Sequence, residues 1–111
     1  MNLLESAELL KITRLQERIL WFLLDKDSYA VEIRNAIFDV TDAQVFVVDG
    51  TLYPALQSLE QAKFLESYMN DHDLQVRGGY RRKMYTITAK GKAVLERENI
   101  LRHKLKCWQS N

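Results

Sequence analysis

A basic segment in the second half of the chain is the first feature that could do chemistry. Between Asp73 and Glu96 no acidic residue occurs, whereas six basic residues do: Arg77, Arg81, Arg82, Lys83, Lys90 and Lys92. The whole chain has a net charge of only +1, so the rest of it carries −5. This segregation is typical of a protein that binds phosphate groups locally, although a solvated basic loop would give the same composition.

A set of uncharged polar residues forms a second candidate site. On a helix that starts near Asp49, the apolar stripe of Leu52, Leu56 and Leu59 leaves small and polar residues on the opposite side. These are Gly50, Thr51, Tyr53, Pro54, Gln57, Ser58 and Gln61. Their amide and hydroxyl groups can bond base edges, and the amides at the helix start can meet a phosphate. A plain solvated helix face is the alternative.

Catalytic and metal-binding groups are sparse in this sequence. It has no Ser, His and Asp grouping and no glycine-rich phosphate loop, so we expect neither an enzyme nor a cofactor. His103 and Cys107 lie four residues apart on a predicted helix and could share a metal, but two ligands are a weak signal. Cys107 is the only cysteine, which excludes an internal disulfide.

Hydrophobic spacing predicts the helices that would position these residues. A first main helix runs from an N-cap at Thr13 to about Asp25, and a second helix begins at a cap on Ser28 and ends near Thr41. The spacing of Leu3, Ala7 and Leu10 adds a short arm helix before them.

The third helix follows a segment with strand-forming residues. Residues 43–48 are β-branched and aromatic, which fits a short strand or an extended connector. Asp49, Gly50 and Thr51 then offer caps for the helix. Pro54 places the helix start close by, because proline is tolerated only near a helix start.

The order of elements predicts the fold class. Residues 64–69 and 83–87 indicate two strands joined by a polar connection, and a last helix runs from a cap at Thr88 to about Trp108. Three short helices and a hairpin are the order of a winged helix-turn-helix, an α+β fold that is mainly α. The predicted divisions of the single domain 1–111 are a DNA-binding core over 13–88 and a C-terminal dimerisation helix over 89–109.

Three runs of residues are specific enough to identify a family. They are GTLYPAL at 50–56 with Leu59-Glu60 after it, GGYRRKMY at 78–85 and TAKG at 88–91. Together with Tyr29 and Glu32-Ile33, they resemble the PadR-like family of winged-helix transcriptional regulators over roughly residues 15–95. The resemblance implies a winged helix that binds double-stranded DNA as a homodimer.

Roles for single residues follow partly from the resemblance. It implies that Tyr53 and the turn from Thr51 to Pro54 face the DNA backbone, and that Tyr85 with Lys83 belongs to the stem of the wing. Partial core packing is the alternative for both tyrosines. The predicted wing contacts to phosphate and backbone are Arg77, Gly78, Gly79, Arg81, Arg82, Lys83 and Tyr85.

The chain departs from the family at the third helix. A basic residue or two commonly stands where this sequence has Gln57 and Ser58, and a proline often stands near Tyr80. We therefore expect weaker phosphate attraction from this helix. An operator sequence cannot be transferred from relatives.

A seam on the last helix predicts a second subunit. Val94, Leu101, Leu105 and Trp108 recur with spacings of 7, 4 and 3, and no partner inside the monomer is evident for them. A two-fold homodimer would cover the seam, with Leu3 and Leu10 of the arm packed alongside. Two recognition helices would then meet an inverted repeat on successive turns of DNA.

The expected function is sequence-specific DNA binding by a regulator, usually repression by blocking a promoter. The alternative is a winged helix that docks another regulator through protein contacts. The family includes members that respond to phenolic compounds or drugs, so whether this protein binds a small-molecule effector stays an open question. Trp21, Phe38, Phe46 or Trp108 could line the pocket for such an effector. No apolar run long enough to span a bilayer and no secretory signal is visible, so we expect a cytoplasmic protein without membrane contact.

Overall fold

The structure, a computed structural model, describes residues 12–70 and 81–110 of the chain. Within these ranges the order of elements is helix, strand, helix, helix, strand, strand, helix. They are α1 (Arg14–Leu23), β1 (Ser28–Tyr29), α2 (Ala30–Val40), α3 (Asp49–Gln61), β2 (Leu65–Asn70), β3 (Arg82–Ile87) and α4 (Ala89–Cys107). The predicted arm helix from Leu3 to Leu10 lies outside the described residues. Apart from the additional strand β1, the order is the predicted one.

Helix α1 begins where a capping box satisfies its first backbone groups. The Thr13 hydroxyl accepts a hydrogen bond from the Gln16 amide at 3.1 Å, and the Gln16 side-chain oxygen accepts one from the Thr13 amide at 2.9 Å. Ile19, Leu20 and Leu23 point inward and are at most 1% exposed. The predicted N-cap is therefore confirmed, and the helix ends two residues earlier than predicted.

The predicted helix cap at Ser28 is wrong, because this residue belongs to a short strand. Ser28 and Tyr29 form β1, which pairs antiparallel with β3 and places Ser28 opposite Tyr85. Helix α2 starts at Ala30, and Tyr29 takes the N-cap position without a side-chain hydrogen bond. The buried Ser28 hydroxyl donates instead to a Glu32 carboxylate oxygen at 2.5 Å.

The sheet therefore has three strands, in the order β1-β3-β2, where the sequence predicted a two-stranded hairpin. Strand β2 pairs antiparallel with β3 from Leu65 opposite Ile87 to Asn70 opposite Arg82. Strand β3 lies in the middle: it pairs with β2 along its whole length and with β1 at Met84 and Tyr85. This arrangement ties the stem of the wing to the segment between α1 and α2.

The connector between α2 and α3 has no regular secondary structure over residues 44–48. Asp42 and Ala43 have left-handed backbones, with φ of 52° and 64°, and they reverse the chain after α2. Residues 44–48 form no strand, so the connector is the correct one of the two predictions for this segment. Val47 is buried and anchors the connector in the core.

Helix α3 contains Pro54 as its sixth residue. Val48 occupies the N-cap position without a side-chain hydrogen bond, so Asp49, Gly50 and Thr51 are helical residues and not caps. Because proline has no N–H, the carbonyl of Gly50 four residues earlier receives no helical hydrogen bond. The acidic Asp49 in the first turn favours the helix, since it faces the positive end of the helix dipole.

The core lies between the helices and one face of the sheet. Its buried apolar side chains include Ile19, Leu20, Leu23, Ile33, Ile37, Leu52, Leu56, Leu59, Leu65, Tyr85, Val94 and Leu95. Each large aliphatic side chain contributes roughly 1.5–3 kcal/mol by its burial. Gly91 lets α4 approach the sheet closely, because a Cβ there would lie 2.7 Å from Ile87 Cγ1 and against the Phe64 carbonyl oxygen.

Candidate nucleic-acid interface

The outward side of α3 carries the residues predicted to read DNA. All of them are exposed: Gly50, Thr51, Tyr53, Pro54, Gln57, Ser58 and Gln61. Tyr53 is 47% exposed, whereas its neighbour Leu52 is fully buried in the core. The two-sided character predicted for this helix is therefore present. Contact of its outer face with DNA stays a prediction.

The start of α3 leaves room for a close approach by a ligand. A Cβ placed on Gly50 would meet no atom within 4 Å, and the residue lies in ordinary helical backbone. Neither packing nor backbone conformation within the monomer requires glycine at this position. A small residue here would instead let a phosphate reach the amides of the first helical turn.

An ion pair with Arg34 neutralises the carboxylate at the head of α3. Arg34 Nη1 lies 2.5 Å from Asp49 Oδ1, and the Arg34 guanidinium carbon lies 5.5 Å from the centre of the Phe46 ring. The Arg34 side chain is 21% exposed and that of Asp49 is 68% exposed. An unpaired carboxylate at this point would repel phosphate, so the pair keeps the helix start compatible with an anionic ligand. Sequence reasoning missed Arg34, because the contact depends on how α2 packs against α3.

The wing residues have different surroundings. Arg77, Gly78 and Gly79 lie outside the described residues. Arg81 is exposed just before β3. Arg82 is half-buried, and its guanidinium carbon lies 4.2 Å from the centre of the Tyr29 ring on β1. Arg82 therefore stabilises the sheet as well as carrying charge, and contact of either arginine with phosphate stays a prediction.

Tyr85 is a core residue, which corrects its predicted place among the DNA contacts. It is 4% exposed and lies in the central strand, opposite Ser28 on one side and Ser67 on the other. Burial raises the pKa of the Tyr85 hydroxyl above its ordinary value of 10.0, a shift that the nearby Lys83 opposes. The phenol is therefore protonated at neutral pH and belongs to the stem of the wing.

A cleft of about 480 Å³ separates α3 from β3. Its lining residues are Tyr53, Gln57, Glu60, Gln61, Lys63, Lys83 and Tyr85. Glu60 Oε2 accepts a hydrogen bond from the Ser67 hydroxyl at 2.5 Å, and Glu60 Oε1 lies 3.6 Å from Lys83 Nζ. Glu60 belongs to the run that resembles the family, but it was not among the predicted site residues, although it lies three residues after Gln57 and therefore on the same flank of the helix.

The aromatic residues considered for an effector pocket line different features. Trp21 lies in an apolar groove of about 290 Å³ between α1 and α2, which Val40 also lines. Phe38 and Phe46 pack edge to face, with ring centres 6.2 Å apart. Trp108 is 72% exposed and follows the end of α4. The described part of the monomer thus does not gather these four residues around one pocket.

The predicted dimer seam on α4 is only partly available to a second subunit. Val94 is fully buried in the monomer core, because Gly91 brings the first turns of α4 against the sheet; its place in the interface is therefore corrected. Leu101 is partly exposed. Leu105 and Trp108 are 78% and 72% exposed. Within the predicted seam, the uncovered apolar surface thus lies at the C-terminal end of α4.

Two other features bear on the kind of protein this is. Cys107 Sγ lies 3.8 Å from His103 Nε2, but residues 12–70 and 81–110 contain no group of three or more His, Cys, Asp or Glu that could hold a metal ion. In the same ranges, no helix has the length and apolar character needed to cross a membrane.

Comparison with known proteins gives the same fold and a family. The sequence model of the transcriptional regulator PadR-like family matches residues 19–97. The chain is 39% identical over 77 residues to an uncharacterised protein from Lysinibacillus sphaericus. The aligned region covers 69% of this chain and 67% of that protein.

Solved structures agree with this match. A PadR family transcription regulator from Clostridium difficile is 33% identical, with a TM-score of 0.69 over 85% of this chain and 92% of its own. Bacillus subtilis PadR in complex with operator DNA has the same fold at 22% identity, with a TM-score of 0.67 over 78% of this chain and 47% of its own. The predicted winged helix-turn-helix is thus confirmed, and the chain belongs to the PadR-like family of transcriptional regulators.

Proposed function

We propose that this regulator binds double-stranded DNA in a sequence-specific manner, with α3 in the major groove and the wing along the adjoining backbone. The observation that carries the proposal is the exposed, uncharged outer face of α3 beside the basic strand β3. A single helix fits the major groove, where amide and hydroxyl groups can distinguish base pairs. The complex of Bacillus subtilis PadR with operator DNA supports the proposal by analogy of fold.

The exposed side chains divide into two kinds of contact. Gln57 and Ser58 are the candidates for base edges, because each carries hydrogen-bonding groups at the middle of the exposed face. Gly50, Thr51 and Tyr53 lie nearer the helix start, where a phosphate would approach. Arg81 and the preceding Arg77 would contact phosphate oxygens, which position a protein without reading sequence.

Salt-dependent DNA binding tests this proposal. Fluorescence anisotropy of the full chain with labelled genomic fragments should show an affinity that falls steeply with salt, and the slope counts the neutralised phosphates. One or a few fragments should bind far more tightly than the rest. Absence of binding to every fragment at low salt would refute the proposal. It would then favour the alternative, a winged helix that docks another protein.

We infer that the active form is a homodimer on an inverted repeat, joined through the distal half of α4. Leu105 and Trp108 are large, apolar and exposed at this end of the helix. A two-fold dimer would cover both and would place two copies of α3 on successive turns of DNA. Replacement of both by Glu should convert a dimer into monomers in sedimentation velocity. A dimer that survives this change would exclude Leu105 and Trp108 as the contact.

We further propose that the regulator is a repressor, because a dimer bound at a promoter would block the access of RNA polymerase. The chain would act in the cytoplasm, as a regulator and not as an enzyme. A reporter gene fused to the most tightly bound fragment should become more active when the regulator is deleted. Lower activity after deletion would instead make the protein an activator.

Adding phenolic compounds to the same reporter would reveal an effector as a change in expression.

A further inference from the structure

Glu60 is the one acidic side chain among the described residues that line the cleft between α3 and β3. Its two oxygens have separate partners, the Ser67 hydroxyl on β2 at 2.5 Å and Lys83 Nζ on β3 at 3.6 Å. The carboxylate therefore connects α3 with both long strands of the wing, β2 and β3.

The position of Glu60 makes its charge relevant to DNA. Tyr53 and Gln57 lie on the same flank of α3 and line the same cleft. The side chains of Glu60 and Lys83 are 34% and 51% exposed, so both charges face solvent beside the proposed reading face. A carboxylate here repels phosphate, and a lysine that it holds is drawn towards the protein.

We propose that Glu60 restrains Lys83 and thereby limits the affinity of the protein for DNA of arbitrary sequence. This inference rests on the DNA-binding function proposed above. Phosphate contacts do not read sequence, so every cation that reaches the backbone raises the affinity for all duplexes alike. Glu60 is a positioning residue, because it acts through Lys83. Ser67 holds its carboxylate in place.

Four forms of the full chain test the restraint: wild type, Glu60→Gln, Lys83→Gln and the double variant. Glutamine keeps a side-chain oxygen for the Ser67 hydroxyl and loses the charge. The probe is a labelled mixed-sequence duplex of about three helical turns, which is long enough for two half-sites. Anisotropy titrations at several salt concentrations give the slope of log K against log salt for each form.

The restraint predicts a change that requires Lys83. Glu60→Gln should bind the mixed-sequence duplex about three- to tenfold more tightly at low salt, with a slope steeper by about 0.9, equivalent to one more phosphate. In the Lys83→Gln background, the same substitution should leave the slope unchanged. An equal change of slope in both backgrounds, or no change in either, overturns the proposal.

Two further variants keep the result interpretable. Glu66→Gln removes the same charge from an exposed residue of β2 that does not line the cleft, and should leave the slope unchanged.

Ser67→Ala retains both charges but loses the hydrogen bond that holds the carboxylate. Its slope should lie between those of wild type and Glu60→Gln. A wild-type slope for Ser67→Ala in a folded protein, checked by thermal unfolding, contradicts the anchoring of Glu60.

The restraint and the DNA-binding function fail in different ways. If the wild-type protein does not bind the duplex, or binds it with an affinity that does not depend on salt, the proposed DNA-binding function is contradicted. Salt-dependent binding by wild type together with an unchanged slope for Glu60→Gln contradicts only the restraint.

Discussion

Arg102 on α4 and Glu17 on α1 form an ion pair between residues 85 positions apart, with 2.7 Å between Nη2 and Oε2. The same carboxylate oxygen accepts a hydrogen bond from the Trp21 indole at 3.0 Å. Burial raises the pKa of Glu17, but the hydrogen bonds from Arg102 and Trp21 outweigh it, so the pKa lies below its ordinary value of 4.5. The pair ties the middle of α4 to the first helix of the core.

The Glu17 pair should make stability depend on pH. Because the folded-state pKa is lowered, the stabilisation is fully present above the unfolded-state value of about 4.5 and is lost as the pH falls through the folded-state pKa. Glu17→Gln should therefore lower the free energy of unfolding at neutral pH and flatten its decline below pH 4.5. Urea unfolding across this pH range measures both effects. Glu96→Gln, an exposed position on α4, is the control and should behave as wild type.

Gly91 should be intolerant of any side chain. Gly91→Ala is expected to lower stability by roughly 1–3 kcal/mol, because the new methyl group collides with Ile87 and the Phe64 carbonyl and pushes α4 off the sheet. Gly50→Ala offers the matched comparison, since a Cβ there meets nothing within 4 Å. Its stability in urea should be unchanged or higher by about 0.5 kcal/mol. Equal losses in the two variants would contradict the close approach of α4.

The same Gly50→Ala variant has a second use in DNA binding. If a phosphate approaches the start of α3, the added methyl group should weaken binding although the fold is intact. Anisotropy with the most tightly bound genomic fragment measures this effect. Wild-type affinity in this variant would show that the start of α3 does not contact the DNA backbone.

The Arg34 ion pair should support both stability and binding. Arg34→Met removes the contacts with Asp49 and Phe46 and should cost about 1 kcal/mol of unfolding free energy, because such partly exposed pairs are individually weak. It also leaves the Asp49 carboxylate unpaired at the head of α3, so affinity for every duplex should fall. Arg97→Met, at an exposed position of α4, removes the same charge and should change stability little. A larger loss of binding for Arg97→Met would refute the local role of Arg34.

Base reading and phosphate contact should separate in a pair of variants. Gln57→Ala should reduce affinity for the preferred fragment by about 1–3 kcal/mol and relax its sequence preference at one position. Arg81→Ala should weaken binding to all duplexes alike and reduce the salt slope. Competition binding with single-base variants of the fragment distinguishes the two. The reverse pattern would exchange the roles of these residues.

The features that could be predicted from sequence are those set by neighbours in the chain. The Thr13 cap and the stripe of Leu52, Leu56 and Leu59 depend on spacings of three and four residues, and the structure contains both. The polar side of α3 follows from the same stripe. These elements locate the candidate interface.

Contacts between distant segments could not be predicted in this way. The segment of Ser28 and Tyr29 is too short to show the alternation of apolar and polar residues that predicts a strand. It forms a strand only because β3 supplies a pairing partner. The heptad spacing of Val94 is the same whether its partner is the core or a second subunit. The Glu60 and Lys83 charges are 23 positions apart, and only the packing of α3 against the wing brings them together.

The middle position of β3 has a mechanical consequence. Hydrogen-bonded to β1 at Met84 and Tyr85 and to β2 along its length, the strand forms a firm stem beside α3. In the proposed complex, a duplex whose groove does not match the spacing between α3 and this stem would have to bend or twist to fit. The stiffness of DNA, which differs among base steps, would then become part of what the protein selects.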